Sequence, residues 1–244
     1  MNVIKATWKV PEHVHVVCTT RGGGVSSAPY DSLNLGEHVA DDETAVKKNR
    51  ELLCESLKLK SSPLWLTQIH STKVIEFDQA LVNKTVKADG SFTTQQQQVC
   101  SVMTADCLPV AIYNHTLDSI AVVHAGWKGL AAGIIAQGVN CLKAGKLSVW
   151  LGPAIGPHCF EVGDEVKIAF VEKLAVHSSA FVPISSGKWL ANMYLLARQQ
   201  LQGLGITQIF GGDYCTFSQP EQFYSYRRDQ ITGRMATLAW LSAP

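Results

Sequence analysis

Hydrophobic positions along the chain fall into short blocks whose spacing alternates between the strand and helix periods. Val99–Thr104, Pro109–Tyr113 and Ile120–Val123 are rich in β-branched residues and separated by polar turns, which predicts neighbouring strands in a buried sheet. His13–Cys18 reads as an earlier strand, and Leu147–Leu151, Thr207–Phe210 and Met235–Trp240 as later ones. Helical spacing runs through Glu43–Leu57, with an acidic first turn, and through Leu130–Lys143, Asp164–Leu174 and Leu190–Leu204. The glycine- and serine-rich stretch Thr20–Ser27 reads as a loop, and Gln95–Gln98 as a loop or exposed strand end.

Helices and strands alternate without a strict βαβ rhythm, so a mixed sheet is favoured over a doubly wound parallel one. The expected class is α/β of the mixed α+β kind. No internal repeat or long linker divides the sequence, and one domain spanning residues 1–244 is expected. A hydrophobic content of 46% supports a large core. With 21 basic against 20 acidic residues there is no global field for a nucleic-acid or membrane partner, so any anion must be recognised locally. Seven cysteines without framework spacing, and an N-terminus unlike a signal peptide, favour reduced thiols in a cytoplasm. Apolar runs end well short of the roughly 20 residues that a membrane span needs. A soluble monomer or weak homodimer is the expectation.

Three strings end strand-like runs with a metal-capable side chain: Thr67-Gln-Ile-His70, Thr104-Ala-Asp-Cys107 and His124-Ala-Gly-Trp-Lys-Gly129. Zinc accepts imidazole nitrogen and thiolate sulfur, and a catalytic zinc uses three protein ligands with one open position. Spacing alone leaves other readings open, because a lone Cys or His is often packed in a core, and Cys107 could instead be a nucleophile activated by His70 or His124. Asp106 and Asp89 could orient a ligand or shuttle a proton, or Asp89 could simply serve the turn before Gly90. Near the C-terminus, Phe223-Tyr-Ser-Tyr-Arg-Arg-Asp-Gln-Ile-Thr-Gly-Arg234 combines arginine forks suited to phosphate or carboxylate with tyrosines able to stack on a base. An exposed, salt-bridged strand is the alternative. The glycines of Thr20–Ser27 could likewise present amides to an anion or form a plain turn.

Together these strings resemble the family variously called YfiH-like, laccase-domain (multicopper polyphenol oxidase-like) or peptidoglycan editing factor proteins. The resemblance runs almost end to end and includes Thr20-Arg-Gly-Gly-Gly-Val-Ser26, Ser32-Leu-Asn-Leu-Gly36, Asn49-Arg50, Gln68-Ile-His70, Ala88-Asp-Gly90, Thr104-Ala-Asp-Cys-Leu-Pro109, His124-Ala-Gly-Trp-Lys-Gly129, Gly152-Pro-Ala-Ile-Gly156, Tyr224-Ser-Tyr-Arg-Arg-Asp229 and Thr232-Gly-Arg234. It implies mixed sheets packed between helices in an α/β/β/α layered domain. It also implies a zinc (Zn2+) site on His70, Cys107 and His124, with Cu2+ binding opportunistically under the Irving–Williams order. Two stretches depart from the family pattern: Asn192-Met193 replaces a frequent Asp-Leu pair, and His158 replaces a frequent cysteine beside Cys159.

The family resemblance implies phosphorolysis of adenosine, inosine and methylthioadenosine, with phosphate as co-substrate, and hydrolytic deamination of adenosine. Asp106, Asp89 and Cys107 are the candidate catalytic residues. Arg21, Asn34, Arg227, Arg228 and Arg234 are the candidates for substrate and anion binding. A competing reading is an amidase that edits mis-incorporated amino acids from cell-wall precursors, using zinc hydroxide or Cys107. A polyphenol oxidase is weaker on physical grounds, since a four-copper centre needs many imidazoles and the chain has eight histidines. A structural zinc module would need a convincing fourth ligand, and only Cys159 or His158 offers itself.

Overall fold

A computed structural model describes residues 1–243. Two sheets stand face to face at its centre. The smaller has the order β1 (Val3–Lys5), β2 (Val14–Thr19), β13 (Met235–Leu241), β5 (Cys100–Thr104), all antiparallel. The larger runs β12 (Gln208–Gly211), β8 (Leu147–Leu151), β6 (Leu108–Asn114), β7 (Ser119–Ala125), β4 (Gly90–Thr93), β3 (Val74–Glu76). Its outermost pairs, β12 with β8 and β3 with β4, are parallel, and the interior pairs are antiparallel. The sheet is therefore mixed, as the irregular alternation along the chain predicts.

Side-chain alternation explains the layering. Val110, Ile112, Ala121 and Val123 point to a core shared with helices, whereas Ala111, Tyr113, Ile120 and Val122 point to the core shared with β2 and β5. Both faces of β6 and β7 are thus buried, and their sequences are almost continuously apolar. The helix-side layer contains α2 (Trp127–Ala132), α3 (Ile134–Cys141), α4 (Asp164–Val171) and α5 (Met193–Gly203). On the far side, α1 (Glu43–Leu57) packs Leu53 against Val17, Met103 and Leu238 of the smaller sheet. The order helix, sheet, sheet, helix is the expected α/β/β/α arrangement.

Local chemistry sets the helix ends. Asp42 caps α1 by accepting the Ala45 N–H at 2.7 Å, and Lys58 closes it in the left-handed region. The single helix expected over Leu130–Lys143 is instead two, because Gly133 adopts φ +100°, which ends α2 and starts α3. The helix expected from Leu190 begins at Met193. Lys188–Ala191 forms β11, which joins β9 (Glu161–Gly163) and β10 (Phe181–Ser185) in a third, antiparallel sheet. Short 3-10 turns at Gln79–Leu81 and Ala175–Ala180 and the one-turn helix α6 (Tyr226–Asp229) complete the elements. No helix is long and apolar enough to cross a membrane among the described residues, and all seven cysteines are free thiols.

Candidate metal centre and adjoining cavity

One end of the larger sheet gathers the three metal-capable side chains. His124 occupies the end of β7, opposite Pro109 of β6, and Cys107 lies in the tight turn from β5 to β6. His70 precedes β3 in the left-handed conformation, φ 58°. Their ligand atoms all lie within 4.8 Å of one another, and no other group of three or more such donors forms among the described residues. The two imidazoles meet edge to face at 4.8 Å. A thiolate and two imidazoles suit a divalent transition metal and leave room for a further ligand.

Asp89, fully buried just before β4, is the hub of this arrangement. Its Oδ1 accepts the His70 backbone N–H and the His124 Nδ1–H, both at 2.9 Å. Its Oδ2 accepts the Ser71 N–H and Oγ–H at 2.7 Å and the Ile69 N–H at 3.3 Å. The Asp89 carbonyl takes the His124 N–H at 2.7 Å. Burial would raise this carboxyl, but hydrogen bonds from His124 and Ser71 outweigh it and hold the pKa at about 2. Asp89 is thus ionised at neutral pH with both oxygens engaged. In this arrangement it orients the His124 ring and braces the segment that carries His70. Its bond to Nδ1 leaves Nε2 of His124 for a metal.

Burial alone would raise the Cys107 thiol, yet His124 and His70 beside it hold it well below its ordinary range. For His124, Cys107 and Asp89 overcome the lowering effect of burial and raise the pKa. The favoured forms are thiolate and imidazolium, so a metal cation would replace a proton here. Gly126 brings backbone against the trio. A Cβ there would lie 2.7 Å from His70 Cδ2 and 3.1 Å from Cys107 Sγ, so a side chain would intrude on the centre.

Asp106 adopts φ +90°, a conformation held by contacts on every side. Its carboxylate accepts Thr216 Oγ–H at 2.6 Å and the Arg227 backbone N–H at 2.7 Å, and its carbonyl accepts the Ile155 N–H. Beside it opens a cavity of about 130 Å³ whose wall includes Cys107, Trp127, Phe160, Met193, Tyr226 and Arg227. Mostly apolar and aromatic, with one carboxylate and one guanidinium, the wall suits a planar heteroaromatic group.

The anion candidates separate into two groups. Arg227 lies at this cavity, with its guanidinium 5.3 Å from the Phe160 ring and one bond to the Glu161 carbonyl. Arg234 is half-buried, and its electrostatic neighbours include Cys107 and Asp106. Arg228, by contrast, places hydrogen bonds on the carbonyls of Thr216, Phe217 and Phe223 and on both oxygens of Asp229, five bonds for five N–H groups. Arg21 is held by Asp31 and the Pro220 carbonyl and stacks on Tyr224. Asn34 is fully buried, bonding Gly36, Asp41 and the Arg234 backbone. These three side chains brace the scaffold through those bonds. In the glycine-rich loop, Ser32 Oγ accepts the Gly23 and Gly24 N–H groups and Asn49 Oδ1 accepts that of Val25, so these amides are engaged within the protein.

Asn192, where the family often has Asp, caps α5 by accepting the Leu195 N–H at 2.9 Å. Cap strength is similar for the two residue types. Cys159 and His158 stand outside the trio. His38, which no motif singles out, lies exposed on the loop before α1, two residues after Ser32-Leu-Asn-Leu-Gly36.

The fold and the trio define a layered α+β protein with a His/Cys metal-type centre at a sheet end. Residues 15–242 match the family model described as multi-copper polyphenol oxidoreductase laccase, and the chain belongs to that family. It is 48% identical to a purine nucleoside phosphorylase of Haemophilus influenzae, over 98% of this chain and 99% of that one. It is 46% identical to purine nucleoside phosphorylase YfiH of Escherichia coli strain K12, over 98% of each. A crystal structure of a Neisseria meningitidis protein superposes with TM-score 0.95 at 42% identity, covering 100% of both chains. That of the hypothetical protein YfiH from Bacillus licheniformis superposes with TM-score 0.89 at 30% identity, over 94% of this chain and 93% of that one.

Proposed function

We propose that the chain is a zinc-dependent purine nucleoside phosphorylase. The observation that carries the reading is a three-donor centre opening beside an aromatic-lined cavity, in a chain nearly half identical to proteins named for that activity. His70, Cys107 and His124 would hold the zinc, which when bound supplies Lewis-acid stabilisation of developing negative charge. Asp89 fixes the His124 ring and its tautomer. Trp127, Phe160 and Tyr226 receive the purine and exclude water from it. A phosphate oxygen forms a bond to the ribose anomeric carbon as the carbon–nitrogen bond breaks, and the bonding pair leaves with the base. Asp106, in the cavity wall, is the candidate to exchange a proton with that base. Arg227 and Arg234 are the candidates to hold the phosphate.

Adenosine deamination is the finer reading of the same site, supported by the room the trio leaves for a water. The four-copper oxidase reading has less support, since a single three-donor group forms among the described residues. Chromatography of adenosine and inosine incubated with the protein, with and without phosphate, tests the proposal. Base and ribose 1-phosphate appearing only with phosphate are expected; inosine from adenosine would mark the deaminase. Inertness toward both nucleosides in metal-replete protein would contradict the reading and favour the amidase.

A further inference from the structure

Arg234 is a half-buried arginine with open donors, and Cys107 is among its electrostatic neighbours. Its Nη1 donates to the carbonyls of Thr232 and Gly233, at 3.0 and 2.9 Å, while the N–H groups on Nε and Nη2 meet no acceptor among the described residues. Arg21, Arg50 and Arg228 are each paired with a carboxylate, and Arg234 is not. Burial disfavours its charge, and the partial compensation comes from Cys107 and Asp106. A half-buried guanidinium with open donors is an arrangement that an anion completes.

His38 stands beside it. A Cβ placed on Gly36 would lie 2.8 Å from Arg234 Cγ and 3.4 Å from His38 Cε1, so the absent side chain lets the two approach over one backbone position. Burial, then the charges of Arg234 and Arg50, lower the His38 pKa, and His124 acts on it in the same sense. Glu37, the carboxylate next in sequence, is engaged by Arg50. His38 also borders a groove of about 520 Å³, along with Trp65, Thr67 and Gln68, distinct from the aromatic cavity.

We propose that His38 and Arg234 together form the subsite for inorganic phosphate. This rests on the phosphorolysis reading and adds to it His38, as a partner for Arg234. Arg234 offers a two-pronged donor set and His38 a single ring N–H, which together suit a tetrahedral oxyanion.

The test uses metal-loaded wild type, His38→Gln and Arg234→Lys, with initial rates against phosphate and against inosine and calorimetric titration with inorganic phosphate. His38 is exposed, and Arg234→Lys keeps the stem and charge, so both variants retain the fold. Loss of one charge-assisted bond predicts a phosphate KM about 10-fold higher or more in each variant, with inosine KM within about twofold. Unchanged phosphate KM in both variants would overturn the subsite. If wild type releases no base, phosphorolysis fails while the titration still decides the subsite: heat in wild type lost in both variants upholds it, and equal heat or none in wild type overturns it.

Discussion

The metal corner and the C-terminal arginine segment both bring charged side chains to the same cavity, but by opposite means. In the metal corner two ligands adjoin strands and the third sits on a loop, and one buried carboxylate ties two of their segments together through five side-chain hydrogen bonds. In the arginine segment, a one-turn helix and a loop carry three guanidiniums with three different fates: one saturated by the fold, one at the cavity wall with a single bond, one bonded only to carbonyls of its own loop. The first region is over-determined and loses its geometry when a support is removed. The second can change one side chain at a time. Positioning on rigid elements suits ligands that must converge on one atom, whereas an anion can be met by donors with more freedom.

Breaking the hub should have the largest effect. Asp89→Ala strands buried donors from His124, Ser71 and His70 and should cost about 3–5 kcal/mol in urea unfolding, with metal affinity lower by about 10–100-fold. The same carboxylate makes a pH prediction for metal-free protein. Its folded pKa of about 2 lies below the ordinary 3.8, so its stabilisation is fully present above about pH 4 and is lost as pH falls through about 2. It contributes on the order of 2 kcal/mol, and unfolding midpoints measured between pH 5 and 2 should fall in that window in wild type and less in Asp89→Asn.

Gly126→Ala comes next. Its methyl would press on His70 and Cys107, so zinc titration should show affinity reduced by about 10-fold or more with far-UV circular dichroism unchanged. Arg228→Ala sharpens the contrast among the arginines. It should lower stability by about 1–3 kcal/mol through its lost carbonyl contacts while leaving phosphate KM unchanged, and a raised phosphate KM would return Arg228 to the anion site. The smallest change is Asn192→Ala at the α5 cap, about 1 kcal/mol, with Asn192→Asp near neutral in thermal unfolding.

The metal corner was legible because Cys107 and His124 adjoin strongly apolar strand runs and the motifs of all three ligands match a family pattern in order along the chain, although His70 lies in a loop and not at the strand end expected of it. The buried strands β5 to β8 were legible for the same reason. The third sheet was not, since three- and four-residue strands such as Glu161–Gly163 and Lys188–Ala191 show too little alternation, and Leu190 fits the helical spacing of α5 equally well. Gly133 reads as a tolerated helical glycine until its left-handed backbone is seen. The arginines were indistinguishable by residue type, because what separates Arg228 from Arg234 is the supply of nearby acceptors. Asp89 read as turn chemistry or as a carboxylate for orienting or proton transfer, and its burial with bonds to His124, His70 and Ser71 shows only in three dimensions.

The most direct measurement is elemental analysis of freshly purified wild type and His124→Ala, each then incubated with inosine and phosphate and resolved by chromatography. The account predicts about one zinc per wild-type chain, with zinc and phosphate-dependent hypoxanthine release lost together in His124→Ala. Full phosphate-dependent release by a His124→Ala protein without zinc would contradict it.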